Sequence, residues 1–170
     1  KTWDSFLDRA CCDVKEVYLN GGWRGGKSLT AAFLVFLDIL LKWLQTQVPR
    51  AEDGTPLDSH LIWIVGPDYK QARQEYFSII NWARYLRLSV VASTALQGPL
   101  VATISRAGFP GVITLETKEA ADPEGLGSVA PVMILVAEAG QVSEEAYYWL
   151  SGGRSAEKNP TLIWSGTFAN

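Results

Sequence analysis

Cysteine is scarce in this 170-residue chain: Cys11 and Cys12 are the only two, and they are neighbours. Consecutive Cα atoms lie about 3.8 Å apart, closer than ordinary disulfide geometry accepts, so both read as free thiols. Free thiols point to a reducing compartment, and with a single His in the chain they exclude a Cys/His zinc site. An excess of positive charge is missing as well. Lys and Arg number 15 against 18 Asp and Glu, a net charge of −3, which excludes a protein that holds nucleic acid by bulk electrostatics and leaves only a local basic patch. Long apolar runs are also lacking: the greasiest stretch, Leu29 to Leu44, is broken by Thr30, Asp38 and Lys42 and falls short of the roughly 18 residues of a membrane span. No signal peptide, internal repeat or low-complexity segment is visible. The chain opens on Lys1 and stops at Asn170 soon after an apolar run, as a piece of something longer would. What is present is the composition of a globular domain, 48% hydrophobic and 19% charged. At this length folding buries roughly 70% of the unfolded surface, so residues 1–170 read as one domain that needs neither disulfide nor structural metal.

Strand-forming and helix-forming patterns alternate along the chain. Glu16-Val17-Tyr18-Leu19 is a short strand that runs into Asn20-Gly21-Gly22. From Ser28 to about Gln45 the sequence is apolar nearly all round, the pattern of a helix buried on most faces and closed by Pro49. Leu61 to Val65 is a continuous apolar run, as in a central parallel strand. Ala72, Tyr76, Ile79, Ile80 and Ala83 recur at helical spacing within 69–86. Strands are expected at 88–92, 101–105 and 112–117, a loop over 118–129, the most apolar strand at 132–136, a helix over 143–150 and a last strand at 161–164. Alternation of this kind predicts an α/β fold, three layers around a mainly parallel central sheet. Trp63, Trp164, Phe33 and Phe36 read as core.

The chemistry is carried by Gly21-Gly22-Trp23-Arg24-Gly25-Gly26-Lys27-Ser28, which has the G-x-x-x-x-G-K-[ST] spacing between an expected strand and an expected helix. Glycines let backbone N–H groups converge on a phosphate, and the start of the following helix adds its positive end. In this pattern Lys27 reaches the β- and γ-phosphates and the Ser28 hydroxyl ligates Mg²⁺. An acidic partner is needed at the tip of a second apolar strand, and there the sequence reads Ala137-Glu138 where an Asp-Glu pair is expected. Glu138 fits a general base that activates water. Either it also takes the metal role, with Glu144 or Glu145 nearby, or another carboxylate such as Asp68 substitutes, or hydrolysis is impaired. Ser165-Gly166-Thr167 ends the last strand, where small hydroxyl residues are placed to contact the γ-phosphate or simply to turn. Tyr69 and Gln71, at the mouth of the second strand, are candidates to touch the nucleotide base, and Trp23 either shields the nucleotide, packs on a neighbouring subunit or simply covers the loop.

Four segments together resemble the ATPase domain of a bacteriophage terminase large subunit: the loop Gly21 to Ser28 with Arg24 inside it, Ile62 to Ala72 with its Pro67-Asp68-Tyr69-Lys70-Gln71-Ala72, Ile134 to Val142, and Ser165 to Thr167. The resemblance implies a P-loop NTPase fold of the additional-strand, catalytic-glutamate (RecA-like) type. It also implies ATP and Mg²⁺ as cofactors, double-stranded DNA as the translocated partner, and a homo-oligomeric ring on a portal protein, with a small terminase subunit as a further partner. In isolation a monomer is expected, weak in DNA binding, and the setting is the host cytoplasm. The family's nuclease domain has no counterpart here. The family's Arg-Gly pair before the second acidic motif is Leu126-Gly127 in this chain, so positive charge would have to come from Arg24, Arg106 or Arg154. Two other readings share the loop: a nucleotide-binding module without turnover, favoured by Ala137 and Leu126, and a helicase or recombination motor.

Overall fold

Apolar runs separated by glycine turns decide which segments can pair. The computed structural model describes residues 16–21, 25–93, 98–122, 124–127, 129–153 and 160–167, with 124, 127, 152 and 153 described by backbone alone. β1 (Glu16–Asn20) leads through the glycine loop into α1 (Lys27–Asp38), which runs on as a π-helical turn over Ile39–Trp43. β2 (His60–Gly66) and α2 (Tyr69–Tyr85) follow, then β3 (Ser89–Ala92), β4 (Val101–Ser105) and β5 (Val112–Glu119). A 3-10 turn at Glu124–Gly127 precedes β6 (Met133–Val136). A second one, Ala139–Gln141, then leads to the short α3 (Glu144–Tyr148), a π-helical turn at Trp149–Gly153, and β7 (Thr161–Gly166).

The strands form one sheet in the order β1-β7-β6-β2-β5-β4-β3. From β1 to β5 every pairing is parallel, and β4 and β3 add antiparallel strands at one edge. β7 lies between β1 and β6, the place of the additional strand that the resemblance implies. Alternation along β2 sends Ile62 and Ile64 to one face, where they meet Ala31, Val35 and Phe36 of α1 and Tyr76 and Ile79 of α2. Trp63 and Val65 face the other way, with Ile134, Val136, Trp164 and the α3 residue Ala146. All four residues of β6 are buried, as a strand covered on both faces requires. The expected three layers are thus formed.

Two local expectations are corrected. Phe33 is 36% exposed and meets Trp82 edge-on at 5.6 Å, because α1 is covered only on the side facing α2 and the sheet; Leu29, on the uncovered side, is 56% exposed. Trp63, Trp164 and Phe36 are buried as expected. The first helix ends near Gln45 as expected: its π-helical turn closes at Trp43, and Gln45 Nε2 donates to Leu41 O at 3.0 Å and Thr46 Oγ1 to Lys42 O at 2.9 Å, satisfying the last carbonyls from side chains. The loop expected over 118–129 is shorter, since β5 extends to Glu119 and Leu126, in its 3-10 turn, packs into the second core.

Candidate functional site

Parallel strands bring their carboxyl ends to one edge of the sheet, and there Gly21, Asp68, Glu138 and Thr167 follow the ends of β1, β2, β6 and β7. In open α/β sheets this edge is where ligands sit. Gly26 precedes α1 with φ 74°, a left-handed conformation that glycine adopts without penalty. No side chain caps α1 and no acidic residue occupies its first turn, so its positive end is uncompensated within the described residues. Lys27 folds back from the start of that helix: Nζ donates to Gly21 O at 2.7 Å and to Thr167 Oγ1 at 3.3 Å, and Thr167 Oγ1 donates to Gly21 O at 3.2 Å. The structure therefore brings Gly21, Lys27 and Thr167 together, from the tips of β1 and β7 and the start of α1. Ser165 is buried within β7, in register with Leu19. Gly22, Trp23, Arg24 and Arg154 lie outside the described residues.

Beside the loop opens a cavity of about 330 Å³, lined by Ser28 of α1, by Asp68, Lys70, Gln71 and Glu75 around the start of α2, and by Glu138 beyond β6. Glu138 has φ 48° and ψ 47°, a left-handed conformation that costs a non-glycine residue about 1 kcal/mol or more. Next to it Ala137 is fully buried and extends the ladder to β2, its amide donating to Val65 O at 2.8 Å. The Glu138 turn rests on the tip of β7: a Cβ added at Gly166 would lie 2.7 Å from the Ala139 amide nitrogen.

The remaining candidates divide. Gln71 lines the cavity, and its Nε2 donates to Gln141 Oε1 at 3.1 Å, tying α2 to the turn after β6. Tyr69, one residue into α2's first turn, is half-buried and outside the cavity wall. Asp68 lines the cavity but is engaged as the N-cap of α2, its Oδ1 accepting from Gln71 N at 2.8 Å. Glu144 and Glu145 are exposed in the first turn of α3, where acids suit the helix dipole, and take no part in the cavity wall. Arg106 stands over the Phe109 ring at 4.8 Å, between β4 and β5. Leu126 is 5% exposed and its side chain is part of the core.

One cavity residue is absent from the sequence candidates. Glu75 is 2% exposed, and its Oε2 has no hydrogen-bond partner among the described residues. Burial holds its pKa above the usual carboxylate range. The neighbouring Ser28 hydroxyl pulls it down, and the charge of Glu138 adds to the rise. The sequence does carry a signal for it: Glu75 falls at a buried position of the α2 stripe, between Ala72 and Ile79.

No family model and no curated protein sequence matches this chain. Solved structures do. The large terminase of a thermophilic bacteriophage aligns with a TM-score of 0.65 at 11% identity, over 89% of this chain and 34% of its own. The large terminase ATPase domain of Thermus phage P74-26 aligns with a TM-score of 0.62 at 14% identity, over 97% of this chain and 64% of its own. The first of these terminases, in complex with ADP, aligns with a TM-score of 0.63 at 10% identity, over 89% of this chain and 33% of its own. The chain thus spans about a third of the length of the thermophilic-phage terminase and under two thirds of the P74-26 domain. Among the described residues no helix is long and apolar enough to cross a membrane. At such identities the shared property is architecture: this chain has the P-loop NTPase-like α/β fold of phage large terminase ATPase domains.

Proposed function

We propose that the chain is the ATP-binding and ATP-hydrolysing motor domain of a phage DNA-packaging terminase large subunit. The observation that carries the reading is the convergence at one sheet edge of the Lys27 ammonium with Thr167, beside a cavity walled by Ser28 and Glu138. In this reading the amides of Gly21 to Gly26 and the positive end of α1 cradle the phosphates. Lys27 exchanges its contacts with Gly21 and Thr167 for the β- and γ-phosphates, and Arg24 adds charge at the γ-phosphate. Glu138, held in its left-handed turn, accepts the proton of the attacking water. Gln71 and Tyr69 flank the base, Trp23 covers the loop, and Ser165 and Thr167 pass the loss of the γ-phosphate from β7 to the rest of the molecule. The residues present fit Mg²⁺: the cavity is lined by the oxygen-bearing Ser28, Glu138 and Glu75, and the buried Glu75 Oε2 has no partner among the described residues. When bound, the ion neutralises charge on the β- and γ-phosphate oxygens.

Two further facts support this reading: the shared fold, and the thermophilic-phage large terminase structures in complex with ADP and ATP-γ-S. It places the chain in the host cytoplasm as part of a homo-oligomeric ring, with double-stranded DNA, a portal protein and a small terminase subunit as partners. The net charge of −3 leaves DNA grip to neighbours and further domains. A second reading, a nucleotide-binding module without turnover, is favoured by the fully buried Ala137, which leaves the tip of β6 without its first carboxylate.

ATP titration in Mg²⁺, with phosphate release followed in the same samples, separates the two. The motor reading expects binding and release by the unaltered chain, roughly 10- to 100-fold weaker binding by Lys27→Ala from the lost charge-assisted bonds, and binding without release by Glu138→Gln. Binding without release by the unaltered chain selects the second reading. Full binding by Lys27→Ala refutes the phosphate-loop assignment.

A further inference from the structure

We propose that Glu75 of α2 supplies the metal-site carboxylate that the β6 tip lacks at Ala137, so that Mg²⁺ bound with ATP is held between the Ser28 hydroxyl, the Glu75 carboxylate and the phosphates. The inference rests on the ATP-binding reading above and adds to it a residue outside the strand-tip motif.

The buried face of α2 consists of Ala72, Glu75, Tyr76, Ile79, Ile80 and Ala83, and Glu75 is the one acid in that stripe. The Ser28 hydroxyl only partly offsets the burial of this carboxyl group, and Glu75 Oε2 has no hydrogen-bond partner among the described residues, which is costly, so an uncharged residue would suit a purely structural position better. No Lys or Arg pairs with it among the described residues; Lys70, which lines the same cavity, is exposed. Glu75 instead lines the cavity together with Ser28 and Glu138. Two carboxylates sharing a cavity repel each other, as the effect of Glu138 on Glu75 indicates, and a divalent cation between them removes both the repulsion and the desolvation penalty.

The donor set suits the ion. Mg²⁺ is usually bound through one or two carboxylates plus substrate phosphates and water, without a cage made wholly by the protein. Accordingly, the described residues contain no cluster of three or more His, Cys, Asp and Glu that could hold a metal alone. Among the other acids near this edge, Asp68 caps α2, Glu144 and Glu145 are exposed on α3, and Glu119 at the end of β5 is outside the cavity lining.

The test measures ATP affinity of the full chain in EDTA and in Mn²⁺, a paramagnetic stand-in for Mg²⁺, for the unaltered protein, Glu75→Gln, and Glu75→Gln combined with Ala137→Asp. Glu75→Gln is expected to keep ATP affinity in EDTA and to lose about tenfold or more of the gain that Mn²⁺ confers, the range found when residues supporting a metal are removed. Returning a carboxylate at Ala137 should restore that gain, which it would not do if Glu75 were merely structural. On the unaltered chain, bound Mn²⁺ with ATP should broaden the Glu75 carboxyl ¹³C resonance, a readout that does not depend on a variant folding. An unchanged Mn²⁺ gain in Glu75→Gln, or an unbroadened Glu75 resonance, overturns the proposal while ATP binding in EDTA keeps the phosphate-loop reading intact. Absence of ATP binding by the unaltered chain in both conditions overturns the two together.

Discussion

Replacing Gly166 by Ala tests whether the strand tips are coupled through backbone contact. The added Cβ would stand 2.7 Å from the Ala139 amide nitrogen, 3.2 Å from that of Gly140 and 3.3 Å from the Glu138 carbonyl carbon, all backbone atoms that cannot rotate away. The tip of β7 and the Glu138 turn must therefore separate by more than half an ångström, which moves Thr167 and Glu138 apart. Overpacking of this kind costs about 1–3 kcal/mol. For a domain of this size each kcal/mol lowers Tm by about 2–4 °C. Displacement of a base by a fraction of an ångström to one ångström lowers turnover by up to about 100-fold. Lys27 and Ser28 belong to α1 and are not displaced directly, so ATP affinity should stay within a few-fold. Thermal melts, ATP titration and single-turnover phosphate release read the three quantities separately. A Gly166→Ala chain that melts and hydrolyses as the unaltered one does would refute the contact. One that loses ATP affinity in step with turnover would refute the separation of binding from chemistry.

Thr167→Val removes a hydroxyl that bonds both Lys27 and Gly21. Losing one bond of about 1 kcal/mol to the γ-phosphate should slow phosphate release roughly 5-fold, while stability, read by thermal melting, changes little because Thr167 is exposed. Asp38 has its pKa raised from 3.8 to about 6, mainly by burial and against the pull of Lys42. Its native state holds the proton more tightly than the unfolded chain, so its contribution to stability is present below about pH 4 and is lost as pH rises through about 6. Asp38→Asn should therefore raise Tm at pH 7 and converge on the unaltered chain near pH 4 in a melting series across pH. Leu126→Arg should destabilise by roughly 3 kcal/mol or more in denaturant melts, because that side chain is buried among the apolar cluster that holds Ile134 and Trp164. A stable Leu126→Arg chain with faster phosphate release would refute this placement.

What can be read from the sequence is what depends on neighbours in the chain. The apolar runs of β2 and β6, the Ser165-Gly166-Thr167 tip and the described ends of the glycine loop, Gly21 after β1 and Lys27-Ser28 in α1, are local patterns, and each lies on the element expected for it. Asp68 is equally local, since an Asp three residues before Gln71 is a helix-start signature. Phe33 defeats the pattern because an apolar helix does not reveal which of its sides will find cover. Glu75 escapes it because the α2 stripe is traced by its apolar members alone, and its meaning depends on Ser28 and Glu138, which only the folded sheet brings near. The π-helical turns at Ile39–Trp43 and Trp149–Gly153 have no sequence signal that would separate them from α-helix.

The site depends on strand register as much as on the glycine loop. Val65 pairs with Val136, and Val136 with Trp164. Because side chains alternate, a slip of one residue in β6 would send Ile134 and Val136 to the α1 and α2 face and turn the approach to Glu138 away from Ser28. The burial pattern forbids that slip, since the two faces of β6 are filled by different neighbours: Met133 and Leu135 by the α1 and α2 layer, Ile134 and Val136 by the α3 layer. The same packing that stabilises the sheet thereby fixes where the acids stand. Ala137, fully buried at the end of that strand, fills a position where an ionised side chain would have to be matched by a cation, while the buried acid of α2, Glu75, lines the cavity beside the next residue, Glu138.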